Sequence, residues 1–238
     1  MIVAVIDTET TGDGETDEVV EVGAVLLELN EAHEIKKTRL WTSLFRPSVP
    51  VQAVARAAHH ITDKMLARAP VLKLKPLPIR ADVVVAHNAE FDVRMLVQSG
   101  VPREDLPEKV ICTWRCSLHL WPEAPKHSNQ VLRYHLGVEP LARVPGLPHR
   151  ALPDAVLTAG LLMQMLKTHT LAQLVDLTSG PVLLHKVRFG KYRGMKWEEL
   201  EDGYLHWILS KSFGPDEKHT AQHWINERRK QCQEQSQS

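Results

Sequence analysis

The chain has 238 residues, of which 43% are hydrophobic and 24% charged, and lysine plus arginine balance aspartate plus glutamate at 29 each. This is the composition of a globular protein with no net field to attract nucleic acid or a membrane surface to the whole molecule. Three cysteines, the absence of a basic leader segment and the absence of a run of about 18 apolar residues argue against a disulfide framework, a signal peptide and a membrane span, so we expect a cytoplasmic protein.

The first part of the chain predicts a sheet that begins as a meander. Ile2–Ile6 is a short apolar run typical of a buried strand, Val19–Leu29 predicts a second strand, and Arg39–Phe45 predicts a third. The intervals between them are too short for crossover helices, which is why we expect a meander. Val51–Ala69 then has a helical pattern with a break, after which Thr62 can cap a second short helix.

Strands and helices alternate in the next part. Val83–Ala86 predicts a buried strand that leads directly into a helix over Glu90–Gln98, and Val110–Thr113 predicts a further strand. Helices are also predicted over Ser128–Leu136 and Pro153–Lys167, the latter with a proline in its first turn and an apolar face. A meander followed by this alternation predicts an α/β fold with a ribonuclease-H-like mixed sheet flanked by helices.

The pattern changes after about residue 180. A short strand over Val187–Tyr192 and two helical stretches after it predict a small C-terminal α+β module, which we place at residues 183–230. The main domain is placed at residues 1–178, and the polar residues 231–238 are expected to form a disordered tail.

Two acids stand at the end of the first strand. Asp7 and Glu9 are two residues apart, so in a strand their carboxylates point to the same face. Neighbouring carboxylates raise each other's proton affinity unless a cation lies between them. Hard oxygen ligands of this kind suit Mg²⁺ or Mn²⁺, although on these two residues alone a solvated strand end remains the alternative.

A third and a fourth acid, and a histidine, occupy the starts of two helices. Asp92 falls in the first turns of the helix that follows Val83–Ala86, where an acid can face the C-terminal edge of the sheet. Asp154 begins the last of these helices, five residues after His149 in a loop. An imidazole changes its protonation near neutral pH, which suits the removal of a proton from an attacking water. Taken singly, each of these residues is ordinary.

Together the segments resemble the DEDDh (DnaQ-like) 3′→5′ exonuclease family. The matching motifs occur in the family's order: DTETTG (Asp7–Gly12), VVEVGAV (Val19–Val25), AHHIT (Ala58–Thr62), VAHNAEFD (Val85–Asp92) and HRALPD (His149–Asp154). The resemblance covers roughly residues 1–175 and implies a ribonuclease-H-like fold. It also implies two-metal hydrolysis of a terminal phosphodiester to a nucleoside 5′-monophosphate.

The resemblance assigns roles to individual residues. It implies two Mg²⁺ ions, replaceable by Mn²⁺, with His149 as the general base. The implied metal ligands are Asp7, Glu9, Asp92 and Asp154. Contacts with the terminal nucleotide are implied for Thr10 and Thr11 through backbone N–H groups, and for His59, Asn88 and Phe91.

The C-terminal stretch resembles the module that follows the nuclease domain in exonuclease X-like proteins, through FGKYRG (Phe189–Gly194) and GYLHW (Gly203–Trp207). Its basic residues and aromatic rings can grip a phosphate backbone, but a packing module with a solvated basic edge is an equal alternative. The candidate grip residues are Lys186, Arg188, Lys191, Tyr192 and Arg193. This tail favours DNA 3′ ends, single-stranded or duplex, over RNA.

Other interpretations remain open. An RNA 3′→5′ exonuclease of the same class would carry the same acids. The Asp7–Glu9 spacing also resembles aspartyl-phosphate hydrolases, and Cys112, Cys116 and His119 have a helical spacing compatible with zinc, without a fourth ligand nearby. A catalytically impaired nucleic-acid-binding protein would be expected to lack an acid or the histidine, and this chain has all five.

Overall fold

The computed structural model of the protein describes residues 1–74, 77–145 and 148–235. A mixed five-stranded sheet has the order β3-β2-β1-β4-β5. Its strands are β1 (Ile2–Thr10), β2 (Val19–Leu29), β3 (Ile35–Leu44), β4 (Val83–Ala86) and β5 (Lys109–Cys112). The first three strands pair antiparallel, whereas β4 is parallel to both β1 and β5. The predicted meander and the mixed sheet are confirmed.

The central strands are apolar because they are buried on both faces. Val3, Val5 and all of Val83–Ala86 are buried, which explains continuous apolar runs in place of alternation. β1 continues beyond the predicted Ile2–Ile6 to Thr10, because its ladder with β2 extends that far. The strand therefore carries the candidate acids within the sheet and not in a turn after it.

Helices flank this sheet. Those predicted within Val51–Ala69 and over Glu90–Gln98, Ser128–Leu136 and Pro153–Lys167 lie within a few residues of the predicted positions, whereas no bounds were predicted for the helices over residues 113–120 and 171–179. They are α1 (Ala53–His59), α2 (Asp63–Leu66), α3 (Ala89–Gln98), α4 (Thr113–Leu120), α5 (Asn129–Leu136), α6 (Ala151–Met165) and α7 (Leu171–Ser179). α6 packs on β1 and β2 and is apolar on nearly all sides, which fits a helix buried in the core. In the described part of the chain, no helix combines the length and apolar character needed to cross a lipid bilayer.

The chain divides into two compact units. The first comprises Met1–Cys116 and Lys126–Thr178, and contains the whole sheet. The second comprises Ser117–Pro125 together with the described residues from Ser179 onwards. The sequence did not indicate that residues 117–125 belong with the C-terminal part, because this grouping depends on contacts between segments that are distant in the chain.

The second unit contains α8 (Asp202–Ser210) and α9 (Pro215–Gln235). The strand predicted over Val187–Tyr192 is wrong: the described residues have a single bridge here, between Lys186 and Lys196. The glycines at 190 and 194, with φ of +61° and +95°, turn the chain too sharply for a continuous strand. α9 extends into the segment expected to be a disordered tail, of which residues 236–238 lie outside the described residues.

Candidate metal and catalytic site

Three of the predicted carboxylates meet at the edge of the sheet. Asp7 and Glu9 point to one face of β1, and Asp154 approaches them from the first turn of α6. One oxygen of each lies within 4.8 Å of the other two. Across the described residues this is the one cluster of three or more acid, histidine or cysteine side chains close enough to share a metal ion. The zinc alternative therefore gains no support.

The fourth predicted ligand, Asp92, lies beside this cluster but outside it. Its carboxylate is 3% exposed on α3, and its Oδ1 accepts a hydrogen bond from the Thr8 hydroxyl at 2.8 Å. Asp92 is close enough to Asp7 to raise the pKa of the Asp7 carboxyl electrostatically. The structure thus brings all four acids into one neighbourhood, with Asp92 oriented by a neighbour on β1.

The carboxyl groups at this site have raised pKa values. Burial raises the pKa of Asp7 well above its usual range, and the charges of Asp92 and Glu9 raise it further. Burial, together with the charge of Asp154, raises the pKa of Glu9 to about 8. Burial raises the pKa of Asp92 to about 7 against the opposing hydrogen bonds of Thr8, and it also raises the pKa of Asp154.

Burial is the largest cause of all four shifts, and the charges of neighbouring carboxylates add to those of Asp7 and Glu9. A divalent cation would favour the ionised carboxylates, and a donor set made only of carboxylate oxygens fits Mg²⁺ or Mn²⁺.

The loop before α6 places His149 next to Asp154. His149 has φ of +63°, and its backbone N–H donates a hydrogen bond to Asp154 Oδ2 at 2.9 Å. Its side chain is exposed, and the two residues at 146–147 that precede Pro148 lie outside the described residues. The imidazole is therefore accessible to solvent beside the acids, and its role as the base stays a prediction.

Two residues that the sequence did not single out complete the site. Glu21 of β2 is 3% exposed and accepts hydrogen bonds from Arg150 Nε at 2.8 Å and Arg150 Nη2 at 2.5 Å. It also accepts one from the Ala151 backbone N–H at 3.0 Å. The available signal is an acid inside the apolar segment Val19–Val25, which predicts a charged partner once that segment is known to be buried.

Two of the predicted substrate contacts are engaged within the protein. The Thr11 backbone N–H donates to the Glu18 carbonyl at 2.8 Å, and its hydroxyl donates to Asp17 at 2.6 Å. This N–H is engaged in the turn between β1 and β2, so the geometry gives no support to its predicted contact with the nucleotide. Thr10 is buried, pairs with Val19 in the ladder, and donates its hydroxyl to the Gly12 carbonyl at 2.6 Å.

His59 is also turned inwards. It is 1% exposed, its Nε2 lies 3.2 Å from the Thr10 carbonyl, and its Nδ1 accepts the Ile61 backbone N–H at 2.9 Å. Burial lowers the pKa of this histidine, which favours the neutral ring. Because Nδ1 accepts a hydrogen bond, the proton of the neutral ring is on Nε2, which donates a hydrogen bond to the Thr10 carbonyl. This geometry does not support a direct substrate contact; it supports a role in holding the end of β1.

Asn88 and Phe91 lie near Asp92 at the start of α3. Asn88 is exposed at the start of α3 with φ of +74°, and its side chain makes no capping hydrogen bond. Phe91 is partly buried, with the Arg94 guanidinium 5.4 Å from the centre of its ring. Their predicted contacts with the terminal nucleotide are compatible with these positions.

The candidate grip residues lie in the second unit. Lys186, Arg188, Lys191 and Arg193 are exposed. The Lys191 ammonium lies 4.5 Å from the ring centre of Tyr192, and the Tyr192 hydroxyl donates to Glu201 at 3.2 Å. Two aromatic residues that the sequence did not single out for binding stand nearby: Tyr204 contacts Tyr192 edge-on and stacks on Trp207, which is 42% exposed.

Comparison with known proteins agrees with this geometry. The RNase_T family model, described as an exonuclease, matches residues 4–162. Exodeoxyribonuclease 10 of Escherichia coli (strain K12) is 33% identical over 230 residues, which cover 93% of this chain and 97% of that protein. The structure of exonuclease X in complex with 5′ overhanging duplex DNA matches with a TM-score of 0.62 and 34% identity, over 74% of this chain and 99% of that one. Escherichia coli exonuclease I in complex with a dT13 oligonucleotide shares the fold, with a TM-score of 0.52 and 16% identity over 74% of this chain and 42% of that one.

Proposed function

Since this chain belongs to the DEDDh (DnaQ-like) exonuclease family and is a metal-dependent exonuclease, we propose that it removes nucleotides one at a time from the 3′ ends of DNA. The observation that carries the proposal is the meeting of Asp7, Glu9 and Asp154 within 4.8 Å at the edge of the sheet. DNA is preferred to RNA as the substrate because the exodeoxyribonuclease relative aligns with 93% of the chain, including its C-terminal part.

The metal would be held by the four acids. Two Mg²⁺ ions, or Mn²⁺ in their place, would bind Asp7, Glu9, Asp92 and Asp154, and when bound they activate the attacking water and stabilise the leaving oxygen. The Thr8 hydroxyl orients the Asp92 carboxylate through Oδ1, and both carboxylate oxygens keep lone pairs that a metal ion could use.

The protein's own groups then handle the proton and the substrate. We assign His149 as the base: a nitrogen of its exposed imidazole takes the proton from water as the water oxygen attacks the terminal phosphorus. The bond from phosphorus to the 3′ oxygen of the preceding nucleotide breaks, which releases a nucleoside 5′-monophosphate. Asn88 and Phe91, which precede Asp92 at the start of α3, are proposed to contact the terminal nucleotide.

The two parts of the chain are proposed to have different roles, one in catalysis and the other in substrate binding. Residues 1–178 would form the exonuclease domain, and residues 183–230 the exonuclease X-like module that grips the substrate. The support is the set of exposed cations around Lys191, with the stacked Tyr204 and Trp207 rings in the same unit.

Free thiols at all three cysteines agree with the reducing cytoplasm that we predict for this protein.

Digestion of matched oligonucleotides tests the proposal. With Mg²⁺, 5′-labelled single-stranded DNA should shorten stepwise from its 3′ end, and a 3′-phosphate should block the reaction. Asp7→Asn and chelation of the metal serve as controls for a contaminating nuclease. Nucleotide release from the 5′ end of a 3′-blocked strand would overturn the polarity. Faster digestion of the RNA of the same sequence would favour the RNA alternative, and binding without any hydrolysis would favour the impaired-enzyme alternative.

A further inference from the structure

The first turn of α6 rests directly on β2. A Cβ atom added to Gly23 would lie 2.3 Å from both the backbone carbon of Ala151 and the backbone nitrogen of Leu152. No side chain fits into that space, so the backbones of the strand and the helix are in contact here. Asp154, in the same helical turn, is therefore positioned by how this turn sits on the strand.

An ion pair between buried Glu21 and partly exposed Arg150 holds the same turn two residues along β2. Glu21 faces the side that Gly23 faces, and it binds both the guanidinium fork of Arg150 and the backbone N–H of Ala151. These three hydrogen bonds hold the residue before α6 and its first residue. The helix start is thus fixed in position by Gly23 and in orientation by Glu21.

The register of the sheet connects this contact to the metal site. Asp7 of β1 lies opposite Gly23, and Glu9 lies opposite Glu21. The two β2 residues that receive α6 are therefore the direct ladder neighbours of the two acids on β1. Any shift of the helix start along β2 changes the distance from Asp154 to both of these acids.

We propose that Arg150 and Glu21 are positioning residues of the metal site, whose ion pair sets the distance from Asp154 to the carboxylates of β1. The inference rests on the proposed function, because it gives the pair a purpose at that site. A bidentate arginine–carboxylate pair defines an orientation, whereas an ion pair adds little net stability, whether it is exposed or buried. We therefore expect this pair to contribute more to the position of Asp154 than to the stability of the fold.

Arg150→Lys tests the proposal with the charge retained. A lysine ammonium is a point charge and cannot reproduce the two-pronged contact. We expect Mn²⁺ affinity, measured by calorimetry on the full chain without substrate, to fall by roughly 10- to 100-fold, the range for groups that orient metal ligands. The kcat should fall while KM for the oligonucleotide stays the same. Amide exchange at Ala151 should also become faster.

The matched control is Arg56→Lys. Arg56 also pairs with a carboxylate, since its Nη2 donates to each oxygen of Asp63 at 2.9 Å, but this pair lies on the surface between α1 and α2. We expect this variant to keep the Mn²⁺ affinity and the kcat of the wild type. Glu21→Gln removes the charge from the other partner and should repeat the effect of Arg150→Lys.

The outcomes separate this inference from the proposed function. A folded Arg150→Lys protein with unchanged Mn²⁺ affinity would overturn the inference and leave the pair a stabilising one. If the single variants melt below the assay temperature, the double variant Glu21→Gln/Arg150→Met replaces them: weakened Mn²⁺ binding supports the inference and unchanged binding overturns it. If the wild type binds Mn²⁺ but hydrolyses no polynucleotide, the proposed function fails, and the affinity comparison still decides the inference.

Discussion

The backbone N–H of His149 donates a hydrogen bond to Oδ2 of Asp154 at 2.9 Å. The candidate base is therefore tied to a candidate metal ligand through its main chain, while its imidazole stays exposed. Because the hydrogen bond to the carboxylate comes from the main chain and not from the ring, removing the ring tests catalysis with that bond still in place.

His149→Ala should lower kcat by roughly 10²- to 10⁴-fold, the usual effect of losing a positioned general base. Calorimetric titration with Mn²⁺ should give the stoichiometry of the wild type, since the backbone N–H remains. His33→Ala is a matched control, because His33 also has a left-handed backbone, with φ of +59°, in the turn between β2 and β3. Loss of a bound ion from His149→Ala would mean that the histidine is a ligand and not the base.

Neutral, isosteric replacement of each acid should abolish hydrolysis without unfolding the protein. The variants are Asp7→Asn, Glu9→Gln, Asp92→Asn and Asp154→Asn, and activity on DNA with Mg²⁺ is the measurement. Without metal, their thermal midpoints should equal or exceed that of the wild type, because each removes part of a carboxylate repulsion. The control is Asp82→Asn, which should retain activity because Asp82 precedes the first residue of β4, whereas Asp92 follows the last. A variant that keeps a near-normal rate would remove its residue from the site.

The metal-free protein should lose stability as the pH rises. The pKa of Glu9 is about 8 and that of Asp92 about 7 in the folded state, against ordinary values of 4.5 and 3.8. The folded state therefore binds more protons than the unfolded state over this window, so the free energy of unfolding falls as these groups lose their protons. Thermal midpoints measured in chelator from about pH 5 to about pH 8 should decrease.

Two comparisons isolate this effect. Glu9→Gln should flatten the pH dependence, since the variant has one fewer group with a raised pKa. Saturating Mg²⁺ should reduce the loss of stability at high pH, because a cation favours the ionised carboxylates. A midpoint that rises with pH in the metal-free wild type would contradict the raised pKa values.

The basic residues of the second unit should act on binding and not on chemistry. Lys191→Gln combined with Arg193→Gln should raise KM for DNA and reduce its dependence on salt between about 50 and about 200 mM, because fewer counterions are released. The kcat should change little. Lys230→Gln, on α9 and paired with Glu227, is the control from the same unit. An unchanged KM in the double variant would favour a packing role for this module.

Much of the fold could be predicted because its signals are local. The apolar run of Val83–Ala86 and the long β-branched segment Val19–Leu29 each need only their own residues to indicate a strand. The prediction of a strand over Val187–Tyr192 was wrong. The residues there favour a strand, but two glycines turn the chain. The shared unit of residues 117–125 and the C-terminal part could not be predicted, because it depends on contacts between segments distant in sequence.

The candidate site also has features that the sequence predicted and features that depend on the tertiary structure. The sequence by itself determined which acids to expect, because five motifs in the family's order resemble the DEDDh family and that resemblance implies the ligand set. The spacing adds only that the side chains of Asp7 and Glu9 share a strand face. Only the tertiary structure decided that Thr11 and His59 are engaged internally and that Glu21 meets Arg150, 129 residues away along the chain. A side chain's hydrogen-bond partners depend on which distant backbones approach it, and the contact of α6 with Gly23 exists only after the helix has packed on the sheet.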